Sequence, residues 1–468
     1  AQSIIWTKVV SIAAVKLEYS TDGGANYPNL ISGSVSGLSY GWTVPDAIST
    51  TLKVRVSDAS NAAINDVSDA NFKIRGNLVL NAPNGAEAWI INTNQAITWT
   101  KSGSITNVKL DYSIDGGTNW SYAITASTSA AAGTFAWTIP DSPSIQVRVR
   151  VMDTTDLTVY DASDANFIIR GGFTVNSPNG SEIWPVNSSK SITWSTLGSI
   201  TNIKLEYSSN NGTNWNIITN STSNIGSYSW TIPDAISAQS LVRVSNVVDP
   251  NANDVSNAVF KIHGVLGLTA PNGAEQWLVG ASQNITWTRT GSIANAKLEY
   301  STDSGSTYPN LIVVSTSAAA LSYGWAIPDS ISTLAKVRIS DASDLTVNDA
   351  SDNVFKIKAN FNLISPNGGE NWIIASNQPI TWTVQGTVSN IKLEYSSNGG
   401  TDWNTIVAST ANVSPYNWTV PDAISASSRV RVSSVADSTA NDASDNNFKI
   451  RGDLTVTVPN GGEKWNVG

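Results

Sequence analysis

The sequence predicts an all-β fold, a tandem array of immunoglobulin-like antiparallel β-sandwiches, and three observations carry that prediction. The 18 tryptophans recur on a fixed period. The segments around them alternate apolar and polar residues, and turn-forming clusters punctuate those segments at short intervals. Five tryptophans stand in I-x-W segments (Trp6, Trp99, Trp194, Trp287, Trp382) and five in W-x-[IV]-P-D (Trp42, Trp137, Trp230, Trp325, Trp418). Five more follow P-N-G-x-E (Trp89, Trp184, Trp277, Trp372, Trp465). The last three, Trp120, Trp215 and Trp403, share a position that is Tyr27 and Tyr308 in the other copies. Successive equivalents lie 93 to 95 residues apart, so the chain is five copies of one module.

Within a module each run reads as a strand. VKLEY at 15–19 puts Val15, Leu17 and Tyr19 on one face and Lys16 and Glu18 on the other. SYGWTVPD at 39–46 keeps Tyr40, Trp42 and Val44 in phase, and KVRVS at 53–57 and NFKIR at 71–75 alternate in the same way. TDGGAN, SDASNAA and NDVSD are the intervening turns. No ten-residue window carries a helical period. Trp42, Trp137, Trp230, Trp325 and Trp418 are predicted to lie between the two sheets, sharing a face with the aromatic two residues earlier.

The closing F-x-I strand (Phe72, Phe167, Phe260, Phe355, Phe448) sets the boundaries, because a basic residue and Gly76, Gly171, Gly264, Ala359 or Gly452 follow it. The predicted modules are 1–76, which lacks its first strand, then 77–171, 172–264, 265–359 and 360–452. Residues 453–468 are left as an unaccompanied first strand. Linkers this short, with no Pro-rich or Gly/Ser-rich tether, predict abutting modules and a stiff rod.

Composition removes most chemistry. With no cysteine there is no disulfide, thiolate metal site or cysteine nucleophile. A single histidine, His263, cannot build a histidine metal cluster and leaves little room for a Ser-His-Asp triad. It occupies the position of Arg75, Arg170, Lys358 and Arg451, and so reads as a basic strand-end residue. The net charge of −9 without a basic run argues against nucleic acid. No apolar run approaches the roughly 18 residues a membrane helix needs, so no membrane insertion is expected. No charged and apolar leader precedes Ala1, so any secretion signal is expected to have been removed or left out. No catalytic residue and no cofactor are expected, and the chain is not expected to be an enzyme.

The order P-N-G-x-E-x-W, I-T-W, Y-S-x-[DN]-x-G, W-x-[IV]-P-D, as in residues 363–406 and 416–422, resembles the Ig-like repeat of the Ser-Thr-rich glycosyl-phosphatidylinositol-anchored membrane family. That resemblance implies an extracellular or cell-surface β-sandwich used as a spacer, wall component or adhesive stalk. It implies no catalytic residue, and its anchoring signal has no counterpart in this sequence.

Several carboxylate and lysine clusters need weighing. YSIDGGTNW at 112–120 matches the Asp-box pattern of sialidases, but Asp22, Asp115 and Asp303 alternate with Asn210 and Asn398. Asn supports a turn as well as Asp does and cannot replace a catalytic carboxylate, so this is a hairpin turn. A second cluster precedes the last strand: Asp58, Asp66 and Asp69; Asp153, Asp156, Asp161 and Asp164; Asp341, Asp344, Asp349 and Asp352. It offers oxygen ligands for calcium, or else Asx and Ser turns. The third copy keeps only Asp249 and Asp254, with Asn257 beside them, which weakens the metal reading. Lys16, Lys109, Lys204, Lys297 and Lys392 invite comparison with isopeptide-forming lysines, but alternation turns them outward beside Glu18, Asp111, Glu206, Glu299 and Glu394. A solvated cross-strand charge row is expected there. N-x-[ST] sequons such as Asn119, Asn187, Asn220, Asn284 and Asn417 permit glycosylation without indicating it.

Two functions remain: a structural subunit of an extracellular filament, sheath or stalk, and a cell-surface adhesin or carbohydrate-binding protein whose partners are wall or surface glycans. Periodic tryptophans and uniform module lengths favour the structural reading. The first module lacks the segment equivalent to 78–90, and 453–468 is that segment with no module behind it. Joining Gly468 of one copy to Ala1 of the next would set Trp465 and Trp6 nine residues apart, against ten in the four internal cases. The expectation is a head-to-tail homopolymer in which Leu454, Val456, Val458 and Trp465 complete a module holding Ile4, Trp6 and Trp42. The alternative is the same pairing made covalently within a longer array.

Overall fold

A computed structural model describes residues 1–8 and 11–468. The chain divides into two compact units. One comprises Ala1–Glu182, Ser191–Trp230 and Gln239–Phe260; the other comprises Ile183–Lys190, Thr231–Ala238 and Lys261–Gly468. The division runs through the repeat expected at 172–264.

The repeat at 77–171 shows a complete module. Asn94–Ser102 pairs antiparallel with Thr134–Thr138 on one side and Asn77–Ala82 on the other, forming a three-stranded sheet. The second sheet has six strands, with Tyr122–Ser129, Asn107–Ser113, Ser144–Asp153, Phe167–Arg170 and Ala88–Ile90 in that order and Tyr160–Ala162 beside Ser144–Asp153. Alternation sends every second residue inward, and Leu80, Ile97, Leu110, Val149 and Phe167 pack with Trp99 and Trp137 into one core. Trp42, Trp137, Trp230, Trp325 and Trp418 are all buried. Tyr40, Phe135, Tyr323 and Tyr416 pack against the cores that hold four of them. The chain is a tandem array of immunoglobulin-like β-sandwiches.

One pairing departs from the expected antiparallel pattern. Ala88–Ile90 runs parallel to Phe167–Arg170, with Trp89 opposite Ile169. The reason is that 77–90 serves both sheets: its first half closes the small sheet, and the P-N-G turn then carries it across to the large one. Asn84 and Gly85 donate their backbone N–H groups to the two oxygens of Glu87, each at 2.8 Å. Gly85 sits at φ +122°, where a Cβ would stand 2.7 Å from the Ala165 Cβ, so only glycine fits. The same parallel pairing recurs in the second unit between Gln276–Leu278 and Phe355–Lys358, and between Asn371–Ile373 and Phe448–Arg451.

Successive modules meet at repeated polar clamps. The W-x-[IV]-P-D aspartate accepts the backbone N–H of a residue 58 positions on: Asp46 from Ser104 at 2.8 Å, Asp141 from Ser199 at 2.7 Å, Asp234 from Ser292 at 2.9 Å and Asp329 from Thr387 at 2.9 Å. The hydroxyls of Ser104 and Thr387 donate to the same carboxylates, and hold Asp46 and Asp329 below the usual aspartate range. A cation from the closing strand adds a second contact, as in Arg75–Asp156 at 3.3 Å, Arg170–Asp249 at 2.6 Å and the Lys261–Asp344 pair.

The first module is built differently. Its sheets have two and five strands where a complete module has three and six, so each sheet is short by one. Among the described residues of its I-x-W stretch, Gln2–Ile5 pairs with Ser39–Trp42, and the Trp6 N–H donates to the Leu38 carbonyl at 3.1 Å. At the other end of the sequence, no strand follows Phe448–Arg451, and residues 453–468 are exposed throughout.

Candidate functional site

The N-D-x-S-D motif, a calcium candidate by composition, is a latch for the sheet-crossing segment. In the second module the Leu80 N–H donates to Asp161 Oδ2 at 2.7 Å, and Ser163 Oγ donates to the Pro83 carbonyl at 2.7 Å. Asn84 Nδ2 donates to Asp164 at 2.8 Å, while the Asp164 N–H donates back to Asn84 Oδ1 at 2.7 Å. Asp349, Ser351 and Asp352 hold Leu268, Pro271 and Asn272 identically. Asp442, Ser444 and Asp445 do so for Leu363, Pro366 and Asn367. In the third module Asp254 and Ser256 hold Val175 and Pro178, and Asn257 donates its N–H to Asn179, which is why Asn is tolerated there.

These contacts leave the carboxylates on separate errands. Asp58 and Asp341 cap their own turns through Ser60 and Ser343, and Asp344 pairs with Lys261. Among the described residues no three Asp, Glu or His side chains stand close enough to hold a metal ion.

In the first module the latch is empty. Asp66 and Asp69 are exposed, and the Ser68 hydroxyl has only the Val54 carbonyl to bond, at 3.3 Å, a contact that Ser163 makes to Val149 at 3.4 Å beside its proline partner. A groove beside them has a volume of about 490 Å³ and is lined by Ile4, Trp42, Val44, Val54, Phe72 and Ile74. It continues past Ser68 into a second stretch of about 350 Å³ under Trp6, Val56 and Asp66. The equivalents of Val54, Val56 and Phe72 in the second module, Val149, Val151 and Phe167, are sealed from solvent. What seals them is Leu78, Leu80, Trp89 and Ile91; Trp89 lies 5.0 Å from the Phe167 ring and 6.1 Å from Trp137. Val44 is exposed, whereas its equivalent Ile139 is buried and exchanges backbone hydrogen bonds with Asn92 and Thr93.

Residues 453–468 carry the matching side chains. Leu454, Val456, Trp465 and Val467 stand where Leu78, Leu80, Trp89 and Ile91 stand in the repeat. They are 99%, 63%, 68% and 101% exposed, against 3%, 1%, 9% and 2% for those equivalents. Val458 is exposed as well. The turn is already formed: Asn460 and Gly461 donate to Glu463 at 3.0 and 2.8 Å, and those backbone donors keep the Glu463 carboxyl below its usual range. Of the expected assembly residues, Trp6 and Trp42 are buried in the first module, Ile4 is half-buried at the groove, and the other four are free. Ser68, Val54 and Val467 were not singled out from the sequence, and Phe72 was read only as a boundary marker. The signal was available in the lockstep recurrence of P-N-G and N-D-x-S-D, each making sense only as the other's partner.

The lysine row is a correction. Glu18, Asp111, Glu206, Glu299 and Glu394 are buried, not solvated. Each is bridged by the lysine two residues earlier and an arginine on the neighbouring strand, as in Glu18 with Lys16 at 2.6 Å and Arg55 at 2.8 Å. The arginine lies under an aromatic ring, Arg55 under Tyr27 at 4.3 Å and Arg243 under Trp215 at 4.3 Å. That ring, delivered by the hairpin turn, covers a face that alternation alone assigns to water. Burial pushes the Glu18, Glu206, Glu299 and Glu394 carboxyls up, and the lysine and arginine hydrogen bonds outweigh it and hold them below the usual range. The Asp-box turn behaves as expected: Asp115 accepts the Asn119 N–H at 2.9 Å, and Asn210 accepts that of Asn214 at the same distance. His263 ends its strand and bonds the Gly264 carbonyl through Nδ1 at 2.7 Å.

No sequence-family description matches the chain, and no curated protein does. Among solved structures, the chain is similar to the fibronectin(III)-like modules of Clostridium thermocellum CbhA. The identity is 18%, over 40% of this chain and 92% of that one, with a TM-score of 0.15. It is also similar to immunoglobulin domains 1–5 of Sidekick-1, at 9% identity over 94% and 93% of the two chains with a TM-score of 0.22. The N-terminal four Ig domains of Dscam1 isoform 1.9 match at 10% identity over 73% and 91%, again with a TM-score of 0.22. The fold class stands on the chain's own strand pairing. Among the described residues no helix is long and apolar enough to cross a membrane.

Proposed function

We propose that the chain is a structural repeat protein of the cell surface, a spacer, stalk, sheath or filament component of the kind its sequence resembles. The observation that carries this reading is the use made of tryptophan. Fourteen of the 18 are buried and three, Trp120, Trp215 and Trp403, are stacked on arginines, which leaves Trp465 as the single exposed one. A carbohydrate site needs aromatic faces open to a ligand, and the periodic indoles are spent on packing. The clamps between successive modules support a load-transmitting role, because each joins neighbours by charge-assisted hydrogen bonds as well as by the chain itself.

Single-molecule stretching of the full chain tests this. Equal, independent unfolding steps, as many as there are complete modules, are expected for a mechanical array. Collapse of the whole chain in one step would overturn it, as would a saturable glycan-array hit confined to one module, which would favour an adhesin.

A further inference from the structure

We propose that Asn211 is a site of spontaneous covalent modification, where the side-chain amide is lost as ammonia and the turn converts to an aspartyl or isoaspartyl linkage. Asparagine followed by glycine closes on itself readily, because glycine puts no side chain in the way of its own nitrogen. Residues 77–452 contain six such pairs, at Asn84, Asn179, Asn211, Asn272, Asn367 and Asn398. Closure needs two freedoms. The asparagine side chain must swing over the following peptide, and that peptide nitrogen must give up its proton to attack Cγ.

The fold removes both freedoms from the P-N-G turns. Asn84 donates through Nδ2 to Asp164 at 2.8 Å and accepts the Asp164 N–H at 2.7 Å, so its amide is pinned at both ends. The attacking nitrogen, that of Gly85, donates to the Glu87 carboxylate at 2.8 Å, and a proton held by an anion is harder to lose. Asn272 with Asp352 and Glu275, and Asn367 with Asp445 and Glu370, repeat that arrangement. Asn398 is fixed in another way: it donates to Asp402 and accepts from Ser396, while the Gly399 N–H goes to the Ser427 carbonyl at 2.7 Å. Among the described residues Asn179 keeps one side-chain tie, from the Asn257 N–H.

Asn211 has neither restraint. It is exposed at a left-handed φ of +54°, where the other copies of the turn have Gly23, Gly116, Ser304 and Gly399, and its side chain bonds nothing among the described residues. The Gly212 N–H meets only the neutral Ser208 hydroxyl, at 2.9 Å. In the reaction the Gly212 nitrogen bonds to Asn211 Cγ, the Cγ–Nδ2 bond breaks, and the displaced proton leaves with the ammonia. Water then opens the cyclic imide at either carbonyl. One opening leaves an aspartate; the other carries the main chain through the side-chain carbon and lengthens it by a methylene. Both add a negative charge to the hairpin that lays Trp215 over Arg243, so the mark falls on the roof of the third module's charged row.

Peptide mapping by mass spectrometry of the full chain, aged in warm, mildly alkaline buffer, tests the proposal, with enzymatic methylation of isoaspartate as a second readout. Asn211 is expected to convert at least about tenfold faster than Asn84, Asn272, Asn367 and Asn398, with Asn179 between them. In urea the six are expected to convert at similar rates. Asn211→Ser, which installs the residue of the fourth module's turn, is expected to keep the fold and remove the fast event. Asp164→Ala, which releases Asn84 Nδ2, is expected to speed Asn84 about three- to tenfold and leave Asn211 as it was. An Asn211 that keeps its amide, or that trails or merely equals any of the other five in the folded chain, would overturn the proposal. So would the same spread of rates in urea. An Asn84 indifferent to Asp164→Ala would overturn the account of its protection.

Discussion

The first and second modules have nearly the same inward-facing residues and differ in one segment. In the second, residues 77–90 close both sheets, satisfy the latch and seal the core; in the first, the same strands surround an open groove. Val149 and Phe167 are fully buried where Val54 and Phe72 are not. A second difference lies in the loop before Trp42, two residues shorter than its counterpart: the Trp6 Nε1–H is buried without a partner, whereas Trp99 donates to the Ala130 carbonyl at 3.0 Å in a turn the first module lacks. One sheet-crossing segment thus does the work of a disulfide in a cysteine-free sandwich. It ties the two sheets together through packing and three side-chain latches.

The strongest way to break this comparison is to remove a core indole from each module. Trp137→Ala is expected to cost about 3–5 kcal/mol in the second module. Trp42→Ala should cost clearly less in the first, because that site already borders open space. Equal losses, measured by denaturant titration of the full chain, would mean that the groove is not an energetic defect.

The latch offers the next largest effect. Asp161→Ala strands the buried Leu80 N–H and is expected to cost about 1–3 kcal/mol. Asp66→Ala in the first module, measured at concentrations where the chain is monomeric, should cost almost nothing. A comparable loss at both positions would show that these aspartates act within their own loop.

Hydrogen exchange sharpens the contrast strand by strand. Phe72–Ile74 and Gln2–Ile5 are expected to exchange faster than Phe167–Arg170 and Asn94–Ser102. Equal rates in the two pairs would show that the open groove does not loosen the strands beside it.

The smallest effect concerns acid. Asp115 and Asp303 are held down to about 2, Asp115 chiefly by the Asn119 N–H and Asp303 by the Ser301 hydroxyl; the third and fifth modules have Asn210 and Asn398 instead. A depressed folded-state value means that the contribution is complete above about pH 4, the unfolded aspartate value, and lost as pH falls toward 2. Asp115→Asn should therefore leave stability at pH 7 almost unchanged and flatten its decline between about pH 4 and 2. A loss at neutral pH instead would show that the charge, and not the turn geometry, is what matters there.

The strands themselves were legible because alternation is a local property: VKLEY and KVRVS have one apolar face whatever surrounds them. The role of N-D-x-S-D was not, since its partners lie about 80 residues away and a string of aspartates looks the same whether it binds a cation or a backbone N–H. Glu18 and its equivalents misled for a related reason. Period-two alternation says which side of the sheet a residue is on, but the Tyr27 or Trp120 ring that covers that side arrives from a different strand connection.

The sequence by itself determined the module, its period and its buried indoles, because repetition and alternation are written one residue after another. Only the tertiary structure decided that residues 77–90 cross between sheets, that Ala88–Ile90 pairs parallel, that the aspartates are latches, and that the charged row is roofed by aromatic rings. Each of those depends on which distant backbone group or ring comes within about 3 to 5 Å, and contact across the fold is what local periodicity does not encode.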